Sequence, residues 1–542
     1  MTTTPDVTVV VAVYNTMPYL TECLNSLVGQ SIGLDRLEVV AVDDGSTDDS
    51  GKELDRFAER YPDTFKVIHQ ANSGGPAAPS NRALDAATGR YVYFIGSDDY
   101  LGEEALERLV ACADENGSDV VAGKMVGTNG RYVRQNLYKA DAADISLFDS
   151  DLPFALANTK LFRRELVEKH KLRFPEHLPV GSDQPFTIEA CVRARKISVV
   201  AGYTCYYAVK RGDASNITYR ADHLARLNCT AEIMHFTAGL IEAGPRRDAV
   251  LKRHFIWELA KLIQDDFPAL APDTQREVCT GIAKLADLYL TESLRDSIDV
   301  KRRARICLAQ GGAVEELGEA IVAEARRGTP TFFAEDDRAY AAYPGFRDER
   351  FGLPDRAFEL MEEKVPGRLA KGTKLLSSDW EQEGDDLWVS LSVRVPVVGD
   401  TGGVVIRLAD GAMPTSADKP GALVVPADRE LPVAVGEFRT ESEADGTVVH
   451  ARIPIAPVKA TRGVRVYLRL AGRTYEIPVR GKGEPMPLAR RWRSEDPYRV
   501  SATVNKKGRM VITTGQMFPP QKSLGSRLRS LLTGSTTGSK RK

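Results

Sequence analysis

Short runs of apolar residues alternate with helical periods through the first 130 residues of the chain. Apolar runs rich in β-branched residues predict strands at 7–13, 37–42, 65–69, 91–95 and 119–126. Apolar residues that recur every three or four positions predict helices between them, at 18–29, 48–61, 76–87 and 103–116. This alternation is typical of an α/β fold whose parallel sheet is covered on both faces. From residue 145 the pattern favours helices and irregular segments, and we expect the first domain to span 1–220.

After residue 220 the pattern changes from helical to alternating. Apolar positions at 251, 255, 259 and 262 follow a helical period, which predicts a helical linker domain at 221–330. A polar connecting segment is expected at 331–372. Apolar and polar positions alternate at 387–395 and 464–470, which favours an antiparallel β-sandwich module at 373–483. We expect a short β segment at 484–520 and a disordered, basic, Ser- and Gly-rich tail at 521–542.

The composition is typical of a globular protein with several domains. The 542 residues carry a net charge of −2, which gives no reason to expect a nucleic-acid partner. No apolar run approaches the roughly 20 residues that a membrane span needs, and the N-terminus lacks the pattern of a secretory signal. The seven cysteines are scattered and contain no CxxC pair, which predicts buried, reduced thiols. We therefore expect a cytoplasmic protein, either free or attached peripherally to the inner face of the plasma membrane.

Two of the predicted strands end in pairs of carboxylates. Asp43 and Asp44 follow the second strand, and Asp98 and Asp99 follow the fourth. Open α/β sheets bind their ligands at the carboxyl ends of the strands, so both pairs are expected at one edge. Carboxylate oxygens suit Mg²⁺ or Mn²⁺ beside a phosphorylated substrate. The sequence therefore predicts a metal-assisted site at this edge.

Together with the segment 9–22, VVVAVYNTMPYLTE, these strand ends resemble those of family 2 glycosyltransferases with the GT-A fold. The resemblance implies a Rossmann-like catalytic domain, a UDP-sugar donor and a divalent cation, Mn²⁺ or Mg²⁺. The family has an Asp-x-Asp motif where this chain has Gly96, Ser97 and Asp98. Asp98 is therefore the implied metal ligand, and Ser97 lies beside the donor. The alternative is that the aspartates only cap the helix that follows.

The resemblance also implies which residues contact the nucleotide. Ala12, Val13 and Tyr14, in the loop after the first strand, contact the base. Asp44 accepts hydrogen bonds from the base or the ribose, a task that suits a carboxylate because it has several lone pairs. Plain core packing is the alternative for Tyr14.

Three further donor contacts are implied downstream. Asn72 and Asn81 lie in a Gly-rich loop that resembles the family's Asn-x-Gly region, and they supply polar contacts to the donor. Arg211 lies in the segment 210–218, which resembles the loop closing over the donor, and its guanidinium would pair with diphosphate oxygens. The alternative for Arg211 is a surface cation.

Inverting glycosyl transfer needs a general base that deprotonates the acceptor hydroxyl. Asp183 follows a glycine turn and begins a predicted helix at 184–195, which would hold it at the mouth of a pocket. The resemblance aligns Asp183 with the family's base, whereas Ser182 replaces a first acidic residue. Asp183 could instead serve only as a helix cap, and the two roles are compatible.

The segments 156–162, 172–176 and 182–186 are further similar to bacterial wall teichoic acid glycosyltransferases. In those proteins a helical linker and C-terminal β modules follow the catalytic domain, and the modules assemble a trimer. The resemblance implies a hexosyltransferase that moves GlcNAc or a similar hexose from a UDP-sugar to a hydroxyl of a cell-wall glycopolymer such as teichoic acid. Two alternatives stay open. The chain could be an exopolysaccharide or capsule glycosyltransferase, or a catalytically inactive nucleotide-sugar-binding protein.

Overall fold

The computed structural model describes most of the chain and divides it into two compact units, Met1–Ile321 and Val322–Lys542. The described residues are 4–211, 222–328, 330–335, 338–360, 365–399, 403–410, 423–425, 433–470, 472–481, 486–492, 497–506 and 508–518. The tail predicted at 521–542 lies outside these residues.

A mixed sheet forms the centre of the first unit. Its strands are β1 Val7–Val13, β2 Leu37–Asp43, β3 Phe65–His69, β4 Tyr91–Gly96, β5 Tyr100–Leu101, β6 Val120–Thr128, β7 Leu161–Arg163 and β8 Ile197–Val209. Their order across the sheet is β3-β2-β1-β4-β7-β6-β8-β5 in the described part of the chain. The first four strands pair in parallel, as the sequence predicts for crossover-connected strands. Their carboxyl ends therefore share one edge of the sheet.

Helices cover this sheet on both faces, because its strands bury apolar side chains on both sides. They are α1 Leu20–Val28, α2 Ser50–Arg60, α3 Ala77–Ala86, α4 Ala105–Asn116, α5 Arg164–Lys169 and α6 Asp183–Arg193. One core cluster joins Val9 to Leu24 and Leu109, and a second joins Val10 to Ala83 and Phe186.

The expectation of helices and irregular segments from residue 145 to 220 was wrong for part of that stretch. It contains β7, which runs antiparallel to β4, and the 13-residue strand β8. The run ISVVAGYTCYYAV of β8 is buried along much of its length and is interrupted at Gly202, so it lacks the period-2 alternation that marks a half-exposed strand. The sheet is consequently mixed rather than purely parallel.

Helices continue through the rest of the first unit and begin the second. They are α7 His223–Leu240, α8 Pro245–Arg253, α9 Pro272–Tyr289, α10 Glu292–Asp296, α11 Val300–Gln310 and α12 Val314–Arg327. A π-helical turn, His254–Leu259, directly follows α8. Ile233 and Val250 belong to the same core cluster as Phe186 of the α/β domain. The linker helices and the α/β domain therefore share a hydrophobic core.

The second unit is rich in β structure. Its strands are β9 Phe332–Glu335, β10 Arg338–Ala341, β11 Lys374–Glu383, β12 Asp386–Val395, β13 Val397–Gly399, β14 Val404–Asp410, β15 Leu423–Val425, β16 Glu437–Glu443, β17 Gly446–Pro454, β18 Ala460–Leu470, β19 Arg473–Pro478, β20 Ala489–Arg491, β21 Tyr498–Val504 and β22 Met510–Gln516, and its helix is α13 Val365–Gly372. They form sheets of order β10-β9-β13, β11-β12-β17-β16 and β15-β19-β18-β22-β21-β20, with β14 on β18.

The structure confirms the predicted fold class, which is an α/β domain followed by a helical region and a β-rich region. Along β12, the apolar positions from Leu387 to Val395 are buried and the intervening ones are partly exposed, as their alternation predicts. The segment 331–372 is more ordered than the connecting segment expected there, because it contains β9, β10 and α13.

All seven cysteines are free thiols, and six of them are buried. Among the described residues, no helix combines the length and the apolar character that a membrane crossing requires.

Candidate active site

The parallel order β2-β1-β4 brings three strand ends together. Asp44 N donates to Val13 O at 2.8 Å, and Ala12 pairs in register with Gly96. The hydroxyls of Thr16 and Ser97 lie 2.9 Å apart and link the loop after β1 to the turn after β4. The structure thus brings Ala12, Val13, Ser97 and Asp44 to the same edge of the sheet.

Tyr14 stands on the outer side of this edge. Its side chain is 45% exposed, which does not fit the alternative that it only packs in the core. The next residue, Asn15, has a left-handed backbone (φ 47°), and its Oδ1 accepts from the backbone N–H of Thr47 at 2.7 Å. The loop after β1 is therefore tied to the loop before α2, while the exposed Tyr14 ring is available for a flat base to stack on it.

Asp44 is almost completely buried and is satisfied by the loop at 70–73. Its carboxylate accepts from Gln70 Nε2 at 2.6 Å and from the backbone N–H and hydroxyl of Ser73 at 3.0 and 2.9 Å. Asn72 Nδ2 donates to the backbone carbonyl of Asp44 at 3.0 Å. Asp44 and Asn72 are thus brought together.

The other carboxylate of the first pair, Asp43, forms a hydrogen bond with His69, a residue that the sequence did not single out. His69 lies with Nδ1 2.9 Å from Asp43 and Nε2 3.0 Å from Asp55. Hydrogen bonds to these two carboxylates raise the pKa of His69. Burial by itself would raise the pKa of Asp43, but hydrogen bonds from Ser46 and His69 hold it below its ordinary value. A strand prediction could have found this pair, since Asp43 and His69 are register partners at the ends of β2 and β3.

Asn81 is not brought to the strand ends with the other predicted donor contacts. Its Nδ2 donates to Phe174 O and to Glu176 Oε1, both at 2.9 Å, and its Oδ1 accepts from Phe174 N at 2.8 Å. Both amide hydrogens are therefore in use inside the protein, and Asn81 anchors the segment around Phe174.

Asp98 forms an ion pair with Arg211. The Arg211 Nε donates to Asp98 Oδ2 at 2.7 Å, and both side chains are mostly buried, with 15% and 14% exposed. The guanidinium also lies 5.8 Å from the ring centroid of Tyr19. These contacts do not fit the alternative that Arg211 is a plain surface cation. The rest of the predicted closing loop, 212–218, lies outside the described residues.

The neighbouring carboxylate, Asp99, is buried and ties the end of β4 to β8. It accepts from the hydroxyl of Tyr206 at 2.6 Å and from Val209 N at 2.7 Å. Burial and the nearby charge of Asp98 raise the pKa of Asp99 to about 6. Neither aspartate caps helix α4, because Glu104 occupies the N-cap position of that helix. The contacts of Asp98 and Asp99 thus run to Arg211 and β8, not to the helix that they were alternatively expected to cap.

Asp183 is the first residue of α6, and Ser182 occupies the N-cap position without a side-chain capping bond. Burial raises the pKa of Asp183, and the charges of Arg253 and Lys160 oppose that rise. Lys160 is itself buried, its Nζ donates to the carbonyls of Ala155 and Ala157, and burial lowers its pKa to about 8. A carboxylate whose pKa is raised is a better proton acceptor, which suits a general base.

Aromatic packing connects α6 to β4, the strand that precedes Asp98. Phe186 of α6 packs against Phe94 of β4 with ring centroids 5.4 Å apart, and it stacks on Phe174 at 4.4 Å. Because Asn81 holds the backbone of Phe174, the residue fixes α6 indirectly. The position of Asp183 relative to β4 therefore depends on this aromatic cluster.

Asp98 is the residue at this edge that could hold a divalent cation. Among the described residues, no group of three or more His, Cys, Asp or Glu side chains could hold a metal ion. One carboxylate still fits Mg²⁺ or Mn²⁺, because such ions are commonly held by one or two carboxylates together with substrate phosphates and water.

Comparisons with known proteins show which proteins this chain is similar to. Residues 8–171 match the family described as "Glycosyl transferase family 2", and residues 229–321 match the "Glycosyl transferase TarS linker domain". The chain is 41% identical over 214 residues to a poly(ribitol-phosphate) β-glucosyltransferase of Bacillus spizizenii, which covers 39% of this chain and 34% of the relative. It is 41% identical over 204 residues to the poly(ribitol-phosphate) β-N-acetylglucosaminyltransferase TarS of Staphylococcus aureus, which covers 38% of this chain and 35% of the relative. The match thus spans about a third of the length of these curated relatives.

Solved structures share the fold of this chain. Residues 1–349 of S. aureus TarS in complex with UDP-GlcNAc superpose with a TM-score of 0.56 and 27% identity, and cover 66% of this chain and 99% of that chain. A longer S. aureus TarS structure superposes with a TM-score of 0.58 and 22% identity, and covers 95% of this chain and 86% of that chain, which shows a shared fold. The chain therefore contains a region that matches family 2 glycosyltransferases, followed by a region that matches the TarS linker domain.

Proposed function

We propose that the chain is an inverting hexosyltransferase that moves GlcNAc or a similar hexose from a UDP-sugar to a hydroxyl of a polyol-phosphate wall polymer such as teichoic acid. The observation that carries the proposal is that Asp98 follows β4, in the region that matches family 2 glycosyltransferases, while Phe94 of the same strand packs against Phe186 of the helix that begins at Asp183. The relatives named for poly(ribitol-phosphate) transfer support the acceptor class.

The strand-end residues would bind the donor. Ala12, Val13 and Tyr14 line the loop that receives the base, and the exposed ring of Tyr14 offers a stacking surface. Asp44 would accept from the base or ribose once Gln70 or Ser73 gives up a hydrogen bond to it. Because Gln70 and Ser73 both donate to Asp44, we propose that the loop at 70–73 adjusts when the nucleotide binds.

Asn72 and Ser97 would complete the polar rim of the donor site, whereas the bonds of Asn81 support an indirect role through Phe174. Arg211 would move from Asp98 to the diphosphate oxygens, which a guanidinium can bind with two parallel hydrogen bonds.

Asp183 would act as the general base. It takes the proton from the acceptor hydroxyl as that oxygen attacks the anomeric carbon of the hexose. The new glycosidic bond forms on the face opposite the leaving group, and UDP departs with the electron pair of the broken C–O bond. The raised pKa of Asp183 supports this role, because it strengthens the proton acceptor.

Asp98 would hold Mn²⁺ or Mg²⁺ together with the diphosphate. When bound, such a cation neutralises the charge that develops on the leaving phosphate. The Asp98 carboxylate is matched to this task by its place at a strand end and by a counterion, Arg211, that can transfer to the diphosphate.

We further propose a homo-oligomer, a trimer by resemblance, assembled through the β-rich second unit. Exposed sheet edges such as β11 and β16 are natural sites for symmetric contacts. The proposed location is the cytoplasm, with the option of peripheral attachment to the inner face of the plasma membrane. Several active sites held together would raise the effective concentration of a bound polymer at each of them.

The test is transfer of radiolabelled sugar by the purified full chain. UDP-GlcNAc and UDP-glucose are each offered with poly(ribitol phosphate), poly(glycerol phosphate) or a neutral glucan, and UDP release is measured in parallel. Transfer to a polyol phosphate, lost in Asp183→Asn, is the expected result. Transfer to the neutral glucan alone would contradict the proposed acceptor, and absence of UDP-sugar binding and turnover would contradict the enzyme itself.

A further inference from the structure

The linker helices contact the helix that begins with the proposed base. Gln184, the second residue of α6, is buried, and its Oε1 accepts from Arg253 Nη1 at 2.7 Å. His254 Nε2 lies 3.2 Å from the same oxygen. Arg253 and His254 thus both contact the side chain of Gln184, which is next to Asp183. Both residues belong to the linker helices rather than to the α/β domain.

Arg253 is held firmly in this position. Its side chain is 11% exposed, and its Nη1 lies 3.0 Å from Glu258 in the π-helical turn. Its guanidinium carbon lies 5.4 Å from the ring centroid of Trp257. A guanidinium fixed by a carboxylate, an amide and a ring loses little further freedom when it binds one more group, which suits a rigid support.

The same π-helical turn also contacts the segment before β7, which contains Lys160, the second cation near Asp183. Trp257 packs edge-on against Phe154, with centroids 5.3 Å apart. The buried Nζ of Lys160 donates to the carbonyls of Ala155 and Ala157, which lie within three residues after Phe154. The turn therefore connects α6 with the segment before β7, and π-helical turns often occur at functional sites.

We propose that Arg253 is a positioning residue for Asp183: through Gln184 it aligns the first turn of α6, and it supplies a fixed positive charge to the site. This inference rests on the proposed function, in which Asp183 is the general base. It makes the linker a working part of the active site, so the catalytic machinery does not end at residue 220.

The charges that face Asp183 explain how Arg253 would act. Burial disfavours its ionised form, Arg253 and Lys160 favour it, and Glu258 disfavours it. Arg253 comes from the linker, Lys160 from the segment before β7 and Glu258 from the π-helical turn. Loss of the Arg253 charge therefore raises the pKa of Asp183, and the base becomes protonated at a higher pH.

The test compares Arg253→Gln, which removes the charge and the hydrogen bond, with Gln184→Met, which removes the hydrogen bond and keeps the charge. Lys252→Gln is the matched control, since it removes one positive charge at the adjacent position. In the full chain, both test variants should lower kcat about 10- to 100-fold, the usual result of slight misplacement of reacting groups, while the donor KM changes little. The acidic limb of the pH–rate profile should move to higher pH in Arg253→Gln and should not move in Gln184→Met. In Lys252→Gln both the acidic limb and kcat should match those of the wild type.

Thermal unfolding of each variant separates this role from a merely structural one. Should Arg253→Gln fail to fold, Arg253→Lys keeps the charge and the comparison with Gln184→Met decides the alignment role. Unchanged kcat in folded Arg253→Gln and Gln184→Met overturns the inference, as does an equal loss in donor affinity and kcat. If Asp183→Asn keeps full activity, the proposed base is wrong. If Asp183→Asn is inactive and Arg253→Gln is normal, only the positioning role is wrong.

Discussion

The Nε of Arg211 lies 2.7 Å from a carboxylate oxygen of Asp98, and both side chains are largely shielded from water. An ion pair of this kind is costly to break unless each charge receives another partner. A diphosphate with its cation supplies both partners at once, an anion for Arg211 and a cation for Asp98. In the proposed mechanism the pair would therefore link donor binding to metal binding.

Asp98→Asn should lower transfer at least about 100-fold, because a metal supplies several kcal/mol of charge stabilisation and an amide binds the cation poorly. Initial rates are measured with Mn²⁺, with Mg²⁺ and with excess EDTA. The wild-type chain should lose activity in EDTA and regain it on addition of metal. Full wild-type activity in excess EDTA would contradict a metal role for Asp98.

Arg211→Gln should weaken UDP binding by about tenfold or more, since a hydrogen bond between charged groups contributes roughly 1.5–3 kcal/mol. Isothermal titration of UDP with metal present measures the effect. Lys210→Gln is the matched control, because it removes an exposed cation at the preceding residue. Equal UDP affinity in Arg211→Gln and the wild type would leave Arg211 a structural partner of Asp98.

Asp183→Asn should lower turnover by about 10²- to 10⁴-fold, the usual contribution of a positioned base, with UDP affinity preserved. Wild-type activity should fall as pH drops through the raised pKa of Asp183, because the base must be ionised to accept a proton. The control is Glu189→Gln, a carboxyl-to-amide change in the same helix. Loss of UDP binding or a large drop in melting temperature in Asp183→Asn would indicate a structural residue.

The parallel core of the catalytic domain could be predicted from the sequence because local patterns define it. β1 ends at Val13 and β3 at His69, as predicted, since each strand is a short apolar run bounded by polar turns. β8 could not be found this way, because a strand buried along most of its length lacks alternation. Its pairing with β6 depends on residues that lie about 80 positions away in the chain.

The residues of the site also fall into two groups, those that the sequence predicts and those that depend on tertiary contacts. Asp44 and Asp98 could be predicted because they follow strands whose ends must meet, whereas Asn81 and Arg253 depend on tertiary contacts. Asn81 matches a family motif, yet its amide binds a backbone segment about 90 residues later. Arg253 lies in a helical segment whose pattern indicates only packing, and its partner Gln184 is 69 residues away.

His69 should make folding stability depend on pH. Hydrogen bonds to Asp43 and Asp55 raise the pKa of His69 in the folded state, so the fold favours its protonated form. The stabilisation is complete below the unfolded pKa of about 6.5 and is lost as pH rises through the higher folded pKa. The ring is half exposed, so the contribution is at most about 1 kcal/mol. Melting temperatures of the wild type and His69→Gln should differ more at pH 6 than at pH 8.5, and a difference that does not vary with pH would contradict this origin.

The last prediction concerns where the chain can be cut. Ile233 and Val250 of the linker share a core cluster with Phe186 of α6, and Arg253 binds Gln184. A fragment 1–220 exposes this core and loses the positioning contact, whereas a fragment 1–328 keeps both. The fragment 1–328 also lacks the β-rich second unit proposed to assemble the oligomer.

We therefore expect 1–328 to be a soluble monomer that releases UDP from UDP-sugar, and 1–220 to be unstable and inactive. The full chain should self-associate and transfer sugar to long polymers more efficiently than 1–328, since neighbouring active sites act on one bound chain. Light scattering at equal concentrations measures assembly, and initial rates with short and long acceptors measure the benefit of association. A full chain that runs as a 59.4 kDa monomer at micromolar concentrations would show that the second unit does not oligomerise. Full activity in 1–220 would show that the linker, including Arg253, lies outside the catalytic machinery.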